Sequence, residues 1–190
     1  MNKQPEITDA TRNTFVEAFC ELYRIKPVEK ITVKEIVQKA GYSRATFYTY
    51  FHDVYDLLEY VENTFISTLM QTITCNIEKE PTLEGFVEAF TGIINEESIY
   101  IEMFMNSANR SSFIEKLQQE AVPVLTAVFG IDIDNISAKY ALQFYISGII
   151  PVLGSWLKSN REISTESLAL LVKGILQDGI LQQLYADDCS

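Results

Sequence analysis

The chain has 190 residues, 47% of them hydrophobic and 22% charged, and a formal net charge of −11. That apolar content is enough to bury a core and excludes a disordered chain, whose signature is low hydrophobicity; the length fits one large domain or two small ones. The acidic total argues against a general nucleic-acid coat protein, but the charge is uneven: residues 1–52 hold eight Lys/Arg against six Asp/Glu, a balance of +2, whereas residues 53–190 hold seven against twenty, a balance of −13.

The N-terminal segment MNKQPEITDATRN is polar and does not read as a signal peptide. Thr8 is placed to cap a first amphipathic helix that turns Phe15, Ala18, Phe19 and Leu22 inward and ends near Arg24, before Lys26-Pro27. Thr32 can cap the next helix, with Glu35 three residues later completing a capping box. Val33, Ile36, Val37 and Ala40 form its apolar stripe, and Gly41 stands where a helix ends on a left-handed residue. Ser43 caps a further helix that starts at Arg44 and buries Phe47 and Phe51, four residues apart on one face. Arg44, Thr46, Tyr48, Thr49 and Tyr50 share its remaining surface. A helix, a glycine turn and a second helix rich in hydrogen-bonding tips is the layout of a DNA-reading helix-turn-helix.

This stretch resembles the DNA-binding domain of TetR-type transcriptional regulators. The matching residues are Phe15, Ala18, Phe19 and Leu22, Thr32-Val33, Ile36, Ala40-Gly41, Thr46-Phe47-Tyr48, Tyr50-Phe51 and Leu57-Leu58. The resemblance implies an all-α fold, a homodimer and a double-stranded DNA operator. The family usually carries a lysine three residues after the last aromatic of this motif, where it touches a DNA phosphate. This chain has Val54 there, which leaves His52 or Lys34 to supply such a contact. On this reading Arg44 and Thr46 reach base edges, an arginine being suited to the two acceptors of guanine. Tyr48, Tyr50 and the Ser43 hydroxyl hold phosphates. Thr32, Lys34, Thr49 and His52 complete the candidate DNA-binding set.

The remaining chain also reads as helical. A long helix from about Asp53 to Asn76 carries Leu57, Leu58, Val61, Phe65 and Leu69. Further helices are expected over 82–95, 99–105, 112–129 (with Pro123 as a kink), 136–159 and 165–185. That makes about nine helices in two parts, a helix-turn-helix head over 1–52 and a helical ligand-binding and dimerisation body over 53–190. The most apolar run, Phe144–Leu157, spans fourteen residues and is too short to cross a bilayer, so a soluble cytoplasmic protein without a membrane partner is expected.

In the body, Phe86, Phe90, Met103, Phe104, Phe113, Tyr140, Phe144 and Tyr145 are candidates to line an apolar pocket. In TetR-like regulators this region holds an inducer that moves the DNA heads apart, here implying a small apolar or aromatic effector. The same side chains can equally be ordinary core. Gly148, Val152 and Trp156 on one helix, and Val172, Leu176, Gly179, Ile180 and Leu184 on the last, are candidates for a dimer interface of paired helices.

Cys20, Cys75 and Cys189 are far apart and form no Cys-x-x-Cys pair, so neither a zinc site nor a disulfide framework is suggested, and no cofactor is expected. With a single histidine, no Gly-rich phosphate loop and no nucleophile elbow, catalytic residues are not expected. Residues 140–160 also look similar to a subset of Gram-positive TetR-like regulators, some of which are coactivators that bind a partner enzyme. The alternative reading is therefore a TetR-fold module whose body binds a protein and not a small ligand.

Overall fold

The computed structural model describes residues 5–79, 83–105, 110–130, 134–159, 161–175, 177 and 178. Among them all regular structure is helical: α1 (Pro5–Tyr23), a 3₁₀ turn (Val28–Lys30), α2 (Val33–Ala40), α3 (Arg44–Phe47), α4 (Val54–Lys79), α5 (Leu83–Met105), α6 (Arg110–Phe129), α7 (Ile136–Lys158) and α8 (Thr165–Gly174). Eight α-helices stand where about nine were expected. The stretches read as separate helices over 82–95 and 99–105 form the single helix α5. The intervening Asn95-Glu96-Glu97-Ser98 interrupts the apolar pattern but holds neither glycine nor proline, the residues that break a helix. Helix α1 is described from Pro5 and so already runs before Thr8, the residue expected to cap it.

Two compact units divide the chain, Met1–Phe65 and Ile66–Ser190. The boundary lies inside α4 and not at residue 52, because the first turns of that helix belong to the head. Val54, Leu57, Leu58 and Val61 are all buried, and the Tyr60 ring meets the Phe51 ring edge-on at 5.6 Å. In this unit α1 packs on α2 and α2 on α3. Phe15, Phe19, Ile36, Phe47 and Leu57 are fully buried and form the centre of its core. Cys20 packs there as an apolar side chain: burial, helped by Glu17, pushes its thiol up to about 12, so it carries no nucleophilic thiolate.

In the second unit α5 packs against α6, α7 and α8, and α6 against α7. Phe104 and Phe113 stack with ring centroids 4.5 Å apart, joining α5 to α6. Gln118 donates to the Ser147 hydroxyl between α6 and α7, and the Thr165 hydroxyl to Asn95 Oδ1 between α8 and α5. Helix α7 is 23 residues long and, by length and composition, apolar enough to cross a membrane, so the fourteen-residue estimate was too short. Its inner face is nonetheless part of a protein core: Ala138, Leu142, Tyr145, Ile146, Leu153 and Trp156 are buried in the body. Both α6 and α7 carry their helix through an internal proline, Pro123 and Pro151.

Candidate nucleic-acid interface

Local hydrogen bonds fix the helix-turn-helix before any tertiary contact is considered. The Thr32 hydroxyl accepts from the Glu35 N–H at 3.3 Å, and a Glu35 carboxylate oxygen accepts from the Thr32 N–H at 3.1 Å, closing the expected capping box. The other Glu35 oxygen meets Lys26 Nζ at 2.6 Å, tying the connection after α1 to the start of α2. These donors hold the Glu35 carboxylate down at about 2. Gly41 ends α2 at φ 73° and ψ 21°, the left-handed conformation that glycine adopts without steric cost. Ser43 then caps α3, its hydroxyl oxygen accepting from the Thr46 N–H at 3.1 Å.

α3 proper is a single helical turn, Arg44–Phe47, and the chain coils on to Phe51 through the Tyr50 N–H to Phe47 carbonyl bond of 2.9 Å. Burial of Phe47 and Phe51 fixes which side faces out. Lys34, Arg44, Tyr48 and His52 are exposed, as a DNA-reading surface requires. Other candidates are occupied locally. The Thr46 hydroxyl pairs with Ser43 Oγ at 2.9 Å, and the Thr49 hydroxyl donates to the Thr46 carbonyl at 2.5 Å. Thr32 is exposed but engaged in its capping box. Tyr50 is half-buried, its ring 6.0 Å from Phe15 and 5.9 Å from the Arg12 guanidinium. Arg12 also lies 5.6 Å from the Tyr60 ring, so one cation pins α1, the turn after α3 and α4 together.

Three features of this surface escaped the sequence reading. Val54 is buried, so the position of the usual family lysine serves the core and presents no charge. Tyr42 and Tyr55, one in the turn before α3 and one in the first turn of α4, are exposed. Nothing in the apolar spacing distinguished these two rings from the buried aromatics around them. The start of α4 is itself acidic: Asp53 Oδ1 accepts from the Tyr55 and Asp56 N–H groups at 2.8 and 2.9 Å, and Asp56 accepts from the His52 N–H at 2.7 Å.

The body candidates separate into two groups. Met103, Phe104 and Phe113 are buried in contact with their own chain, and Phe86 and Phe90 lie in α5 with side chains outside the described residues. Tyr140 and Phe144, expected beside them, face outward instead, Phe144 being 76% exposed. The reason is register: Ile136, Tyr140, Phe144, Gly148 and Val152 recur every four residues on one outer strip of α7, opposite the strip that packs inward. Tyr140, Phe144, Gly148 and Val152 of this strip, with Leu171 and Val172 of α8 and Ile175 just past it, line an apolar groove of about 710 Å³ that also holds Ser137 and Tyr145. Of the residues expected at a dimer interface, Gly148, Val152 and Val172 line this groove. Trp156 does not reach it. Its indole N–H donates to the Ile163 carbonyl at 2.8 Å and Arg161 covers its ring at 5.3 Å, so it locks the α7–α8 connection. Leu176, Gly179, Ile180 and Leu184 lie outside the described residues or have side chains that do.

Comparison with known proteins matches these two units. Residues 7–61 match the model for bacterial regulatory proteins of the tetR family. Residues 80–178, just over half the chain, match a model for a transcriptional regulator C-terminal region. No curated protein matches this sequence. Among solved structures, the fatty acid degradation regulator FadR from Bacillus halodurans superimposes with a TM-score of 0.73 at 14% identity, over 95% of this chain and 98% of that one. NalD of Pseudomonas aeruginosa, the secondary repressor of the MexAB-OprM multidrug efflux pump, gives 0.66 at 18% identity over 92% and 98%. The dihydroxyacetone kinase operon activator DhaS gives 0.61 at 17% identity over 90% and 96%. These likenesses establish the fold, and the family of regulators they share is one of DNA-binding proteins and not of enzymes. With a capped helix-turn-helix in one unit and a helical body in the other, and with both family models matched in order, the chain belongs to the TetR family of transcriptional regulators.

Proposed function

We propose that the chain is a ligand-responsive repressor that binds a palindromic operator as a homodimer. The observation that carries this reading is the orientation of the head. Its capping box, left-handed glycine and buried Phe47 and Phe51 leave Arg44, Lys34, Tyr48 and His52 on the open side. One such head reads too few base pairs to be specific, so two heads on an inverted repeat are needed. The outer strip of α7, with Leu171 of α8 and Ile175 just past it, offers an exposed apolar face for pairing two copies. The repressor sign follows NalD, and the apolar or aromatic effector follows from the aromatic character of the body. The test is selection of bound fragments from random double-stranded DNA. An inverted repeat is expected; fragments without any shared sequence would sink the reading.

A second reading has its own support. Met103, Phe104 and Phe113 are closed against their own chain, and Tyr140 and Phe144 point outward, which suits a body that binds a protein in place of a small ligand. DhaS, described as an operon activator, shares the fold. Operator release by a small apolar compound would favour the first reading. Operator affinity altered only when a partner protein is added would favour the second.

A further inference from the structure

The segment Thr32–Asp56 contains three cations, Lys34, Lys39 and Arg44, and three carboxylates, Glu35, Asp53 and Asp56, so its net charge is zero. It also contains eight hydroxyl-bearing residues. Of the cations, Lys39 is paired with Glu21. Among the described residues Lys34 and Arg44 make no ion pair, and the usual lysine position is the buried Val54. All four aliphatic hydroxyls are engaged, in the Thr32–Glu35, Ser43–Thr46 and Thr49–Thr46 bonds. The exposed large hydrophobic side chains of the same segment are all tyrosines: Tyr42 before α3, Tyr48 at its C-terminal cap and Tyr55 in the first turn of α4. Tyr42 and Tyr48 rest their rings on Phe15 and Phe47 at 5.3 and 5.6 Å, which leaves the exposed parts of the three phenols open to a partner. A phenol suits DNA in particular, with a neutral donor for a phosphate oxygen and an apolar ring for sugar and methyl groups.

We infer that the head grips the DNA backbone mainly through the neutral phenols of Tyr42, Tyr48 and Tyr55, so that operator binding depends only weakly on salt. This rests on the DNA-binding reading above. The physical basis is counterion release. Each phosphate neutralised by a cation steepens the loss of affinity with salt, whereas a neutral hydrogen bond releases no counterion. With Lys34 and Arg44 on each of two heads, four phosphates at most are neutralised by this segment. Affinity should then fall by at most about 150-fold between 50 and 200 mM salt, from a slope of about −0.9 per phosphate.

The experiment titrates the full-length protein with its selected operator over that salt range. The same titration is run on a Tyr42→Phe/Tyr48→Phe/Tyr55→Phe variant, with helix content checked by circular dichroism. Removing the three hydroxyls should weaken binding at least tenfold at every salt while leaving the slope unchanged. Lys34→Ala should instead make the slope shallower, by about 2 for the dimer. A wild-type loss of a thousandfold or more overturns the inference, as does a triple variant that binds like wild type. Absence of operator binding at any salt would defeat the DNA reading itself, and this inference with it.

Discussion

The hydroxyl of Tyr145 on α7 donates to the backbone carbonyl of Val172 on α8 at 3.2 Å, beneath the groove that the two helices line. The bond sets the register of α7 against α8 and so fixes which residues reach the outer face. Burial pushes this phenol above its ordinary range, which keeps it a neutral donor. Tyr145→Phe removes the bond while keeping the ring. It should lower stability by about 0.5–1.5 kcal/mol, the net worth of one such bond, measured by urea unfolding at fixed protein concentration. A variant as stable as wild type would show that ring packing alone holds the register.

The outer strip of α7 predicts the oligomeric state. Native protein at micromolar concentration should sediment at about twice the 21.6 kDa chain mass. Phe144 is exposed in the single chain, so Phe144→Glu costs the isolated chain little, but in a dimer it would bury an unpaired charge at a cost of about 3–5 kcal/mol. The variant should sediment as a helical monomer. If it stays dimeric and loses only its response to an effector, Phe144 belongs to a ligand site and the dimer face lies elsewhere.

Arg44 opens α3 on the exposed side of the head. Arg44→Ala should cost ~1–3 kcal/mol of operator affinity and relax preference at one base pair of each half-site. Lys34→Ala should weaken all sequences equally, because phosphates carry no sequence information. Binding to single-base operator variants at fixed salt separates the two. Base preferences that change with Lys34→Ala and not with Arg44→Ala would place α2, and not α3, in the groove.

Glu35 makes the head acid-sensitive. Its folded-state value of about 2 lies below the ordinary 4.5, so the carboxylate favours the folded state above about pH 4.5, and that stabilisation is lost as pH falls towards 2. Glu35→Gln should flatten the stability profile between those limits, followed by thermal unfolding at a series of pH values. A profile unchanged by the substitution would place the acid response in other carboxylates.

The sequence by itself determined the local elements of the head. Thr32 with Glu35, Gly41, and Ser43 before Arg44 act through hydrogen bonds and backbone preferences within a few residues, and each stands as its spacing indicated. The all-helical class was legible for the same reason, since apolar periodicity is a local signal. What spacing could not reveal was which of two apolar faces a helix turns inward. α7 is apolar on both strips, and packing against α5 and α6 chose Leu142, Tyr145 and Ile146 for the core and left Tyr140 and Phe144 outside. Trp156 looked like an interface residue until the α7–α8 connection folded back to accept its indole N–H. Val54, Tyr42 and Tyr55 were decided in the same way: whether a side chain lies in the core or on the reading surface depends on neighbours distant in the chain, and only the tertiary structure brings those together.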